Sequence, residues 1–227
     1  MKFIHVKFIH VKVIFLLFWI GGLVFLPTAA IAETGLVEHG VQNKRSTQQD
    51  GIEFKIMYEN AVYTVFMRPN ATPAEPNLTL TAQVTIKAPH GEGENRFEVT
   101  NLQALVAGTT WDVTSRVDAP SEDPTHDYIS FTVTFSGGDL RAFDWTADQE
   151  VAVFSFKNGS GDAGPINMIA DCDDFMPPNS AGTNPGNQIT VLTLGAENAY
   201  IGNYDVDLPA CETTGSGVIY LPIVAGE

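Results

Sequence analysis

Cationic side chains are scarce in this sequence: 12 lysines and arginines stand against 27 acids, for a formal charge of -15 over 227 residues. A surface so poor in positive charge repels nucleic acid and anionic lipid, which removes those partner classes. Catalytic signatures are also missing. No Gly-x-Ser-x-Gly, His-Glu-x-x-His or phosphate-cradling glycine loop occurs, and beyond residue 32 only His39, His90 and His126 could act as a base. His90 and His126 lie in acidic stretches and read as solvated loop residues. The expectation is a protein that is not an enzyme. No apolar run with helical period and length appears after residue 32, so no membrane span and no long helix are expected there.

What is present at the start is an export signal. Lys2, Lys7 and Lys12 precede an uncharged run from Val13 to Leu26, Pro27 ends it, and Ala30-Ile31-Ala32 supplies the small residues a signal peptidase reads. Residues 1–32 are therefore expected to be removed before Glu33, which takes the formal charge to -18. The mature chain is expected outside the cell or at its surface.

Residues 33–51 are polar without apolar period and read as a flexible lead-in. From Ile52 the pattern changes to period two. Leu78, Leu80, Ala82, Val84 and Ile86 alternate with Thr79, Thr81, Gln83, Thr85 and Lys87, as a half-buried strand requires. Similar runs fall at 52–58, 61–68, 96–106, 109–117, 128–135, 151–157, 166–170 and 189–194, separated by turn residues. About nine short strands point to an all-β, antiparallel β-sandwich over residues 52–212.

Cys172 and Cys211 are the only cysteines. In an oxidising compartment they are expected to pair, a bridge worth about 4 kcal/mol on the chain-entropy account. Asp171, Asp173 and Asp174 surround the first cysteine, and Asp205, Asp207 and Glu212 lie near the second. Gathered by the bridge, these six carboxylates either stay solvated or take up a hard cation. Calcium is the ion they suit, although the fold requires no cofactor and the spacing is not that of an EF-hand. Trp145 sits in a strand connection and is the better candidate among the tryptophans for an exposed sugar-stacking platform, although core packing is the leading reading for it. Residues 213–227 form a Gly/Ser link and an apolar segment, Val218, Ile219, Tyr220, Leu221, Ile223 and Val224 around Pro222. That segment reads as a last strand of its own sandwich, a strand given to a neighbouring subunit, or a tail for surface retention.

The series Tyr128-Ile129-Ser130-Phe131-Thr132-Val133, Glu150-Val151-Ala152-Val153-Phe154-Ser155-Phe156, Gly186-Asn187-Gln188-Ile189 and Asn198 to Tyr204 resembles the cohesin-type sandwiches of bacterial surface proteins. The resemblance implies a jelly-roll-like sandwich that attaches to protein or polysaccharide. A secreted or surface-attached, non-enzymatic module for adhesion or assembly is the leading expectation. A carbohydrate-binding module and a filament subunit exchanging its C-terminal strand are the alternatives. Sequencing the N-terminus of the exported protein is expected to begin at Glu33, and a chain that keeps residues 1–32 would contradict the cleavage.

Overall fold

The alternating segments pair as their period requires. In the computed structural model, which describes residues 49–195 and 197–204, ten strands form two packed sheets. Strand β1 (Ile52–Glu59) and β2 (Val62–Pro69) make a hairpin in unbroken register from Ile52 opposite Pro69 to Glu59 opposite Val62. Asn60 and Ala61 turn the chain with φ of 51° and 59°, the double positive φ that a tight hairpin of this twist needs. β3 spans Thr79–Pro89, β4 Val99–Ala104, β5 Thr109–Asp118, β6 His126–Phe135 and β7 Val151–Asn158. The short β8 (Asn167–Met168), β9 (Gln188–Val191) and β10 (Tyr200–Asn203) complete the set.

The first sheet has the order β10-β1-β2-β7-β4, and the second β5-β6-β3-β8, with β9 also on β3. Nearly every pairing is antiparallel. The exception is β10, which runs parallel to β1 and brings the end of the described chain back beside its start. Four residues long and containing Gly202, β10 carries too weak a period-two signal to stand out in the sequence. Among the described residues no helix is long and apolar enough to cross a membrane.

The inward faces meet through aromatic rings. Phe131 of the second sheet lies 5.0 and 5.2 Å, ring to ring, from Phe154 and Phe156 of the first, and Trp111 lies 4.5 Å from Phe154. Ile52, Phe54, Val65, Val84, Ile86 and Ile129 fill the same layer and are fully buried. The alternation of β3 holds from Ala82 onward but fails at its start. A register shift between Thr79 and Thr81 turns Leu80 outward, 46% exposed, and Thr79 inward, 1% exposed. One bulged residue reverses the pleat before it.

The second sheet departs from the half-buried pattern. Asp127 to Phe131 are buried at five consecutive positions, because the chain between β8 and β9 lies across the outer face. There Tyr128, Ile169 and Phe175 form a second apolar cluster with Val117 and Met176. This cover leaves a gap in the ladder along β3 between β8 and β9, and the side chain of Asn187 fills it. The Thr85 amide donates to Asn187 Oδ1 at 2.9 Å, the Asn187 amide donates to the Ile169 carbonyl at 3.1 Å, and the Ile169 amide donates to the Thr85 carbonyl at 3.0 Å. Asn187→Ala leaves the buried Thr85 N–H unpaired, so urea unfolding is expected to show a loss of roughly 1–3 kcal/mol. An unchanged midpoint would show that the side chain does not close the ladder.

Candidate functional site

Two polar networks occupy one end of the second sheet, where β3 and β6 meet the loops. Lys87 and Tyr128 are cross-strand neighbours. Between them and the loops they hold two carboxylates. Lys87 Nζ lies 2.6 Å from Asp123 Oδ2 and 2.9 Å from Asp173 Oδ2. The Tyr128 hydroxyl is 2.7 Å from Asp173 Oδ1 and 3.1 Å from Asp123 Oδ2, and the Phe175 amide donates to Asp173 Oδ1 at 3.0 Å. His126 Nδ1 lies 2.9 Å from Asp123 Oδ2, and Thr125 donates its hydroxyl to Asp123 Oδ1 at 2.7 Å. A cavity of about 350 Å³ opens beside this group, lined by Lys87, His126, Asn167, Cys172, Asp173 and Asp174 among others.

The charges are mutually sustained. Burial works against the Lys87 ammonium, but its hydrogen bonds to Asp123 and Asp173 prevail and hold the amine above its ordinary range. Burial likewise opposes ionisation of Asp123, yet hydrogen bonds from His126, Lys87 and Thr125 hold its carboxyl far below the usual carboxylate range. The Tyr128 phenol is pushed well up, by burial and then by the bond to Asp173.

The second network is centred on Asp127, whose side chain is fully buried. His90 Nδ1 lies 2.6 Å from one oxygen and Arg116 Nη2 donates to the other at 2.8 Å. Arg116 also donates to Asp118 and to the Phe97 carbonyl, each at 2.5 Å, and Arg96 donates to Asp118 and Glu98. His90 and His126, read as solvated loop residues, instead each hold a carboxylate at the edge of the sheet. The sequence signal was faint. Lys87 sits on the polar side of a strong alternation, and Asp123-Pro-Thr-His-Asp-Tyr128 packs five polar groups across a turn and the first residues of a strand.

Of the residues expected at a site, Cys172 lines the cavity and no described cysteine is free; Cys211 lies outside the described residues. Asp171 and Asp174 are exposed, whereas Asp173 is held by Lys87 and Tyr128. Among the described residues no group of three or more candidate ligands is placed to hold a metal. Asp205, Asp207 and Glu212, the other half of the calcium expectation, lie outside the described residues, as do the signal at 1–32 and Val218 to Val224.

Trp145 corrects the platform expectation. It is 1% exposed, stacks nearly parallel on Phe143 at 4.8 Å, and donates its indole N–H to Thr79 Oγ1 at 2.8 Å. The bulge that turns Thr79 inward supplies the partner that allows the indole to be buried. Its ring faces are not available to a sugar.

Fold and site together define a β-sandwich whose ionisable groups are tied into braces at one end. No family model, curated protein or solved structure matches the chain.

The folded-state carboxyl of Asp123 titrates below its unfolded value, so its contribution to stability is complete above the ordinary aspartate range, about pH 4, and is lost as pH falls below it. Asp123→Asn is expected to melt at lower temperature than the wild type near neutral pH and to lose less on acidification. Parallel curves from neutral to acid pH would contradict that assignment.

Proposed function

We propose that the chain is a secreted or surface-attached, non-enzymatic module of adhesion or assembly, in the manner of the cohesin-type sandwiches it resembles. The observation that carries this reading is the use made of the reactive side chains. The lysine, the histidines and the buried carboxylates at the loop end are each bonded to a fixed partner within the fold. Groups held in this way act on one another within the fold, whereas the general base or nucleophile of an enzyme must reach a bound substrate.

Recognition would then fall to a strand edge. β5 is ten residues long, pairs among the described residues with β6 alone, and exposes Thr110, Asp112, Val113 and Thr114. Such an edge accepts an added strand. A protein or surface polysaccharide of the producing organism is the partner class, and a neighbouring copy's Val218 to Val224 segment is the self-assembly version of the same contact. The disulfide between Cys172 and Cys211 would secure the exported form.

The test is retention of the exported protein on cell envelopes of the producing organism, together with sedimentation of the protein alone. Retention abolished by protease treatment of the envelopes, or self-association, each lost in Val113→Lys but not in an Asp174→Ser control, supports an edge-mediated protein contact. Retention abolished by glycan digestion transfers the role to polysaccharide binding. Neither retention nor self-association would overturn the proposal.

A further inference from the structure

The Lys87 site has a geometry that a simple ion pair does not need. An amine nitrogen lies 2.9 Å from one oxygen of the Asp173 carboxyl. The other oxygen of that carboxyl accepts from two fixed donors, the Tyr128 hydroxyl at 2.7 Å and the Phe175 amide at 3.0 Å. A second carboxylate, Asp123, touches the same amine at 2.6 Å. The polarised carbonyl and the proton carrier are thus each within hydrogen-bond reach of the nucleophile, on side chains only 8% to 22% exposed.

We propose that Lys87 and Asp173 condense into an intramolecular amide that ties β3 to the loop covering the second sheet, with Asp123 as the proton carrier. The step balances without any co-reactant. One ammonium proton passes along the 2.9 Å contact to Asp173 Oδ2, leaving a neutral amine and a neutral acid. The amine lone pair forms the new C–N bond at Cγ, and the displaced carbonyl electrons settle on Oδ1, where the Tyr128 and Phe175 donors stabilise the developing charge. The nitrogen then gives a second proton to Asp123, which passes it to the Oδ2 hydroxyl. The C–O bond breaks, water leaves, and Asp123 is again a carboxylate. Holding the two groups together removes the entropy barrier of an encounter in solution. Replacing a partly buried ion pair with a neutral amide also removes the cost of keeping the two charges away from water.

Asp173 is assigned as the acyl group because its Oδ1 has the two donors and its side chain is the more buried of the two acids. Asp123 instead receives Thr125, His126 and Lys87, which favour its anion and suit it to a base. The inference is independent of any adhesive role, since an amide here braces the domain whatever it binds.

The intact mass of the exported protein, measured after reduction, tests this directly on the wild type. One water less than the sequence mass is expected, with a protease digest yielding a branched peptide that joins Lys87 to Asp173. Lys87→Arg preserves the cation but cannot form the amide, and it is expected to restore the full mass. Asp123→Ala leaves both reacting groups in place, and its expected result is a largely unlinked chain. A wild type at full mass would overturn the proposal. So would a water deficit that persists in Lys87→Arg, or a branch that maps to Asp123.

Discussion

Where a sheet is covered on both faces it must pair the polar groups it buries, and apart from the unpartnered Trp111 indole N–H on β5 much of this structure is arranged around that constraint. The second sheet packs its inner face on the first through Phe131, Ile129, Val84 and Ile86, while its outer face lies beneath the chain that joins β8 to β9. Thr85 and Ser130 are buried there and bond each other at 2.8 Å. Asn187 stands in for missing backbone between two short strands. Lys87, Asp123, Asp173 and Tyr128 form the polar border of the covered area. An unpaired group at any of these positions would cost more than the pairing gains, so they act as a set.

The same constraint explains how ion pairs come to be fixed. A carboxylate as enclosed as Asp127 survives in a folded protein only with partners on both oxygens, here His90 and Arg116. Arg116 extends the chain of contacts to Asp118 and the Phe97 carbonyl, linking β5, β6 and the approach to β4. On the other sheet Tyr204 is held in a comparable way. Arg68 lies 4.0 Å over its ring, and its hydroxyl donates to Glu150 at 2.6 Å. That contact fixes the last described residue beside β1, where the Tyr204 amide donates to the Phe54 carbonyl.

How much of this was legible follows the range of the signal. The strands at 52–59, 62–69, 109–118, 126–135 and 151–158 were all read within a few residues, because alternation over seven or more positions is a local property. β8 and β9 proved shorter than their apolar runs. Chain beyond each pair is drawn into turns, as at Thr193 with φ of 73°. The sequence left Trp145 between the core and an exposed platform for a related reason. Its neighbours are polar and its segment is irregular, and only the bulge at Leu80 brings Thr79 to its indole nitrogen.

By itself the sequence determined an acidic composition and a two-layer β architecture, since each depends on residue content or on a period of two along the chain. The return of β10 parallel to β1, the covering of the second sheet and the meeting of Lys87 with Asp123 and Asp173 were decided by the tertiary structure. These join residues far apart in sequence through loops whose paths follow from packing. A lysine on the polar side of a strand looks solvated until another segment is laid across it.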